Sequence, residues 1–341
     1  MGVVGTHRAR PAAHPAFMLR NSLLYLSRQQ RIFDFIRGNG FARRMASRFV
    51  AGETIQDACH AAAELNALGI SATLDLLGES VTNEAEARET GRQYLALLDA
   101  IHEQQLNCNV SVKLTALGQD ISDALCVEVV TAILQRAEQY DSFVRLDMES
   151  SEYTQRTIDT FEHQLYSRFP KRVGIVLQSA LRRTLDDVEH AIALGARVRL
   201  CKGAYQEPEA VAFPEKRDVD ATYVDAMQRL MTRGHYPGLA THDEVIIEQA
   251  KRFAREQGIA PNRFEFQMLY GVRRDLQEAL VRDGWRVRVY VPFGTQWYPY
   301  LMRRLAERPA NIAFMTGNIV REAMHGGARR PARASRASTS R

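Results

Sequence analysis

Eight short strand-like runs, each followed by a stretch of helical period, constrain this chain more than any other feature. They are ATLDLLG (72–78), NVSVKLTA (109–116), FVRLDME (143–149), VGIVLQS (173–179), RVRLCKGA (197–204), GLATHD (238–243), FEFQML (264–269) and RVRVYVP (286–292). Between them lie segments such as EAEARETGRQYLALLDAIHEQQ and TLDDVEHAIALG, in which apolar residues recur at helical spacing. Strands that alternate with helices pair in parallel through right-handed crossovers. Eight such units predict the α/β class and a closed (β/α)₈ barrel. A doubly wound sheet is the alternative, but its glycine-rich GxGxxG turn is absent after every strand.

Strands covered by helices on both faces usually read as unbroken Val/Ile/Leu runs. Several of these alternate. Val110, Val112 and Leu114 share one phase and Ser111 and Lys113 the other. Val144 and Leu146 oppose Arg145, Asp147 and Glu149, while Val198 and Leu200 oppose Arg197 and Arg199. Phe264, Phe266 and Met268 oppose Glu265, Gln267 and Leu269, and the valines of RVRVYV oppose Arg288 and Tyr290. The apolar phase suits the dry interface with the helices, so the polar phase must face the barrel axis. Charges buried there need partners or a ligand. Lys113, Asp147, Gln178, Lys202, His242 and Tyr290 each fall near the C-terminal end of a different strand, where barrel enzymes place their chemistry.

The ends of the chain differ from its middle. Residues 1–16 read as a flexible leader without a secretory signal, and 17–66 as an N-terminal helical segment (LRNSLLYLSRQQRIFDFI, FARRMASRFV, TIQDACHAAAELNALG). Residues 67–317 hold the barrel and 318–341 a disordered basic tail. The stretch 328–341 carries five arginines and no acid, which accounts for the formal net charge of +5. Without aromatic–basic interleaving it predicts no specific nucleic-acid partner. No apolar run reaches the ~18 residues of a membrane span. A peripheral membrane contact of the tail stays open. Cys59, Cys108, Cys126 and Cys201 form no CxxC pair, favouring a reducing compartment without disulfides. Few His or carboxylate ligands stand at the strand ends, so no metal site is expected.

The helix in GTQWYPYLMRRLAERPAN (294–311) carries Tyr298, Leu301, Met302 and Leu305 on one face and Tyr300, Arg303, Arg304 and Glu307 on another. In isolation the second face is a solvated stripe. Placed after the eighth strand, it is expected to lie over the barrel mouth. A mouth rich in Arg, Lys, Gln and His donors suits an anionic ligand: a carboxylate, a diphosphate or an electron-rich reduced ring. A Schiff-base lyase with Lys113 or Lys202 as nucleophile is the alternative chemistry. An RNA-associated protein using the arginine tail is the non-enzymatic one.

The chain resembles the proline dehydrogenases, specifically the monofunctional bacterial FAD-dependent type. The likeness covers about residues 17–315 and rests on LRNSLLYLS, RFVAGET, LGE, VSVKLTALG, RLDMESSEYTQRTIDTF, VLQSALRRT, VRLCKGAYQEP, ATHD, FEFQMLYG, VRVYVPFG and YLMRRLAERPAN, in that order. It implies a distorted (β/α)₈, TIM-like barrel and oxidation of L-proline to Δ1-pyrroline-5-carboxylate. Hydride would pass from substrate C5 to flavin N5. The implied partners are a quinone as electron acceptor and a downstream pyrroline-5-carboxylate dehydrogenase. The implied location is the cytoplasm, with contact at the inner face of the membrane left open.

By the same resemblance, Arg303 and Arg304 clamp the proline carboxylate with Lys113 as a further cation. Tyr290, Tyr300, Tyr205 and Leu269 wall the pyrrolidine ring. Asp147 holds the cationic constellation, and Arg199 stands beside flavin N5. Gln178 contacts the flavin ring, and Lys202, Gly203, Ala204 and the backbone of Met148 contact the cofactor. Thr241 and His242 reach its phosphates and adenosine. From charge alone, and not from the resemblance, Glu79 in LGES after the first strand is expected to pair with Arg303 across the mouth.

Overall fold

The computed structural model describes residues 47–307, with side chains through Met302. The chain divides into two compact units, one of Ala46–Trp297 and one of Met1–Met45 with Tyr298–Arg341. Among the described residues of the first, the strands are β1 (Ser71–Leu76), β2 (Cys108–Val112), β3 (Val144–Leu146), β4 (Val173–Gln178), β5 (Arg197–Cys201), β6 (Gly238–Ala240), β7 (Glu265–Leu269) and β8 (Val287–Phe293). All pair in parallel in chain order, and β8 closes on β1 with Ser71 opposite Arg288 and Leu76 opposite Phe293. This is the closed barrel that the alternation of strands and helices predicts.

The helices are α1 (Ile55–Ala67), α2 (Glu84–Glu103), α3 (Asp123–Gln139), α4 (Ser151–Asp159), α5 (Thr184–Leu194), α6 (Lys216–Arg233), α7 (Glu244–Glu256), α8 (Arg274–Arg282) and α9 (Trp297–Glu307). α4 runs directly into a π-helical turn, Thr160–Tyr166. Their starts are written locally. Thr54 accepts from the Asp57 amide in a capping box before α1, and Asn83 and Ser122 cap α2 and α3. No helix among the described residues is long and apolar enough to cross a membrane.

The apolar phase of the strands packs under the helices. Val110, Val112, Val144, Leu146, Val198 and Val289 are fully buried in the continuous core that the helices cover. Tyr94 of α2 and Tyr223 of α6 reach in to donate to the carbonyls of Ser111 and Leu200. At about 25 cal/mol per Å² of apolar surface removed from water, this interface is the main force closing the ring.

Two expectations need correction. Six strands end earlier than the runs suggest, above all β2 at Val112, β3 at Leu146, β5 at Cys201 and β6 at Ala240. Lys113, Asp147, Lys202, Thr241 and His242 therefore stand in the first residues of the loops. Ladder-like bonds continue for one more residue, from the Asp147 amide to the Val112 carbonyl and from the Thr241 amide to the Gln267 carbonyl. Second, the described end of FARRMASRFV, Ser47–Val50, is a turn and not a helix. The chain beside it bonds to β8, through the Ala51 amide to the Pro292 carbonyl and the Gly294 amide to the Gly52 carbonyl. Tyr300 of α9 is buried, as are Tyr298, Leu301 and Met302. The side chains of Arg303 and Arg304 lie outside the described residues, as do 1–46 and the basic tail.

Candidate active site

The barrel axis carries the polar phase. Hydrogen bonds that join strands not adjacent in the ring prove it, because only the interior lets them meet. Arg199 of β5 reaches β2 at Ser111 Oγ (3.2 Å) and the residue after β3 at Asp147 Oδ1 (2.7 Å). Arg288 of β8 reaches Asn109 of β2 at 3.4 Å. Side-chain alternation, not composition, has put charge where a barrel usually stacks Val, Ile and Leu.

Toward the C-terminal end the charges form two coupled pairs. Asp147 accepts from Ser111 Oγ (2.6 Å), Arg199 Nη1 (2.7 Å) and the Tyr290 hydroxyl (2.7 Å). The Arg199 guanidinium also lies over the Tyr290 ring, 5.1 Å from its centre. Burial, then the neighbouring Asp147 carboxylate, pushes the Tyr290 hydroxyl well above its ordinary pKa, so it stays a donor. The second pair is Lys113 with Asp75, at 2.8 and 3.0 Å to the two carboxylate oxygens. Burial opposes the Lys113 charge, but Asp75 and then Asp147 outweigh it and hold the ammonium above its ordinary range. A lysine held protonated is a poor amine nucleophile, which counts against Schiff-base chemistry there.

Asp75 was not among the candidate residues. Its signal was available, since in SATLDL it shares a phase with Thr73 opposite Ala72, Leu74 and Leu76. Its partner lies 38 residues away, just past β2, and the parallel pairing of β1 with β2 brings them together.

Toward the N-terminal end, Glu265 accepts from Arg288 Nε (2.7 Å), Gln267 Nε2 (2.6 Å) and the Tyr236 hydroxyl (3.1 Å). Burial pushes the Glu265 carboxyl up, yet the Arg288 charge and the bonds from Arg288 and Gln267 bring it below its ordinary value. A carboxylate depressed by folding contributes stability that is complete above its unfolded pKa, about 4.3, and lost as pH falls through the folded value. Glu265→Gln therefore flattens the acid limb of stability: urea midpoints of the variant fall less than those of the parent between about pH 5 and pH 3.

The rim groups flank this interior. Gln178, at the end of β4, donates to the Glu149 carbonyl at 2.8 Å, next to buried Met148. Gly203 takes φ 109°, and a Cβ there would sit 2.9 Å from Gln178 Oε1 and 3.2 Å from Ala180 Cβ. Only glycine leaves that backbone bare beside the amide. Lys202 pairs with Asp220 (2.6 Å) and Asp243 (2.9 Å). His242 Nε2 accepts from the Leu269 amide at 2.9 Å, which places the proton of a neutral ring on Nδ1, and Thr241 Oγ1 accepts from the Asp243 amide. Leu269 stands opposite Tyr290 in register.

The ring thus brings Asp147, Arg199, Tyr290 and Lys113 into one cluster, Gln178 beside Gly203, and Lys202, Thr241, His242 and Leu269 onto one side. Tyr205 and Ala204 stand in the loop after β5, whose Glu207 accepts from the Ser151 amide at the start of α4 (2.9 Å). A groove of about 570 Å³ runs outside the barrel between α6 and α7, past Asp220 and Asp243, and includes neither Asp147 nor Arg199. None of the four cysteines is in a disulfide. Burial pushes Cys108 and Cys126 up to about 12, so neither is a ready nucleophile.

A family model described as proline dehydrogenase matches residues 58–317. Proline dehydrogenase 1 of Bacillus subtilis (strain 168) is 41% identical over 305 residues, covering 89% of this chain and 100% of that protein. Proline dehydrogenase of Deinococcus radiodurans is 41% identical over 280 residues, covering 81% and 90%. The crystal structure of proline utilization A (PutA) from Bdellovibrio bacteriovorus inactivated by N-propargylglycine superposes with a TM-score of 0.74 at 24% identity. The match covers 84% of this chain and 36% of that one, and it speaks for the fold.

Proposed function

The chain belongs to the proline dehydrogenase family, and from that premise we propose that it oxidises L-proline to Δ1-pyrroline-5-carboxylate at the C-terminal mouth of the barrel with bound FAD. It is an oxidoreductase that carries out the first step of proline catabolism. One observation carries the reading of the site: Asp147, Arg199 and Tyr290 are locked together inside the mouth, and Lys113 is held charged beside them. Such a constellation fits an anionic substrate and a ring that gains negative charge on reduction.

The residues present fit a flavin. Gly203 keeps a stretch of backbone bare beside Gln178, and the surrounding donor set of Arg199, Gln178, Lys202 and His242 suits a ring system and a diphosphate. In this proposal Gln178, Arg199, Gly203, Ala204 and the Met148 backbone hold the ring, while Lys202, Thr241 and His242 hold the phosphate and adenosine portion. Bound FAD would supply the acceptor for the hydride that proline loses and, once reduced, the electrons for a quinone. The protein supplies position and charge. Arg303 and Arg304 clamp the substrate carboxylate together with Lys113. Tyr290, Tyr300, Tyr205 and Leu269 form the wall of the small ring, where one methylene discriminates by about 1–3 kcal/mol. Arg199 stabilises charge as it develops, and Asp147 keeps that arginine in place. The product passes to a pyrroline-5-carboxylate dehydrogenase.

The test is direct. The purified protein is assayed for proline-dependent reduction of a soluble quinone analogue, with the cyclic imine product trapped by an aromatic aminoaldehyde. Product and reduced quinone form in equal amounts on this account, and no proline turnover would overturn it.

A further inference from the structure

Among the described residues, Gln267 joins the lower and upper halves of the charged interior. Its Oε1 accepts from Arg199 Nε at 2.6 Å, and its Nε2 donates to Glu265 Oε1 at 2.6 Å. All three residues are buried. The orientation of an amide is often ambiguous, but here both ends dictate it. A guanidinium can only donate and an ionised carboxylate can only accept, so the amide carbonyl must face Arg199 and the amino group must face Glu265. Glu265 is in turn fixed by Arg288 Nε at 2.7 Å.

This matters for Arg199 because a guanidinium is planar. Nη1 is bound to Asp147 and Ser111, and Nε is bound to Gln267. Two nitrogens anchored on different strands leave the plane one setting. Nη2 has no hydrogen-bond partner among the described residues. The backbone has made room for the strut: β6 passes directly beneath it at Gly238, where a Cβ would lie 2.3 Å from Gln267 Nε2. Any other residue there would displace the amide.

We propose that Gln267, oriented by Glu265 and accommodated by Gly238, is a positioning residue that aims the Arg199 guanidinium at the reacting ring. The inference rests on the reading of Arg199 as the flavin neighbour. It extends that reading to residues that touch neither substrate nor cofactor.

The experiment measures four quantities in the holoenzyme: FAD content, the midpoint potential of the bound flavin, kcat and KM. The variants are Gln267→Met, Gly238→Ala and Arg199→Lys. Gln267→Met and Gly238→Ala act on the same amide from two residues. Both are expected to retain FAD, to move the potential negative in the direction of Arg199→Lys, and to lower kcat about tenfold with KM within about twofold. The double variant Gln267→Met/Arg199→Lys should add little to Arg199→Lys alone, since both changes act through one group.

If Arg199→Lys shifts the potential while Gln267→Met and Gly238→Ala leave potential and kcat unchanged, the inference is overturned and the proposed function stands. If Arg199→Lys itself leaves the potential unchanged, Arg199 is not the flavin neighbour and the inference goes with that reading. Loss of FAD in both Gln267→Met and Gly238→Ala would make the strut purely structural and also overturn it.

Discussion

Asp147→Ala lowers kcat/KM for proline by about two to three orders of magnitude, the scale seen when a preorganised electrostatic contact is removed. Three donors converge on this carboxylate: Ser111 Oγ, Arg199 Nη1 and the Tyr290 hydroxyl. Without it, Arg199 keeps Gln267 and Ser111 but loses its carboxylate partner among the described residues, and Tyr290 loses the carboxylate 2.7 Å from its hydroxyl. The pair is almost fully buried, with Arg199 and Asp147 side chains 7% and 13% exposed, so water compensates poorly. Removing one partner of such a pair costs about 3–5 kcal/mol of stability as well. Asp147→Asn keeps the shape and one acceptor oxygen and should fall between parent and alanine variant in both respects. Steady-state kinetics and urea unfolding, each on FAD-saturated protein, check these outcomes. An alanine variant within threefold of the parent kcat/KM would remove Asp147 from the mechanism.

The second large effect is expected at the arginine pair. Arg303→Ala and Arg304→Ala each raise the KM for proline by about 10- to 100-fold, because a charge-assisted hydrogen bond contributes about 1.5–3 kcal/mol. FAD content should stay at the parental level, since the pair is proposed to hold substrate and not cofactor. This expectation comes from sequence and family likeness: α9 is described as a helix through Glu307, but the side chains of Arg303 and Arg304 lie outside the described residues. An unchanged KM in either variant would dissociate that arginine from the carboxylate. The proposed pairing of Glu79 with Arg303 lies outside the described residues for the same reason.

Much of the barrel was legible because its information is local. Strand and helix periods are properties of five to twenty neighbouring residues, and so is the alternation of Val110 with Ser111 or of Val289 with Tyr290. That alternation alone places Asp147, Arg199 and Tyr290 on the axis. Partnership was not legible. Asp147 with Tyr290 spans 143 residues, and Arg199 with Gln267 spans 68. Which polar group meets which depends on register and closure, and a sequence states neither. Asp75 was overlooked although it shares a phase with Thr73, because a short apolar run with one carboxylate reads as core until Lys113 stands beside it. Strand ends were overextended because apolar runs persist past the last ladder bond, as in β3, where Met148 is buried beyond the strand. The turn at Ser47–Val50 leads into Ala51 and Gly52, which bond at β8, a long-range pairing that helical propensity does not encode.

The central claim is that this barrel holds a flavin that L-proline reduces, and anaerobic titration tests it most directly. The account predicts a purified protein with visible flavin absorption that one equivalent of L-proline per bound FAD bleaches, and that a quinone analogue then restores. A protein that copurifies with no flavin and binds none when FAD is supplied would contradict the account, as would a bound flavin that excess L-proline leaves oxidised.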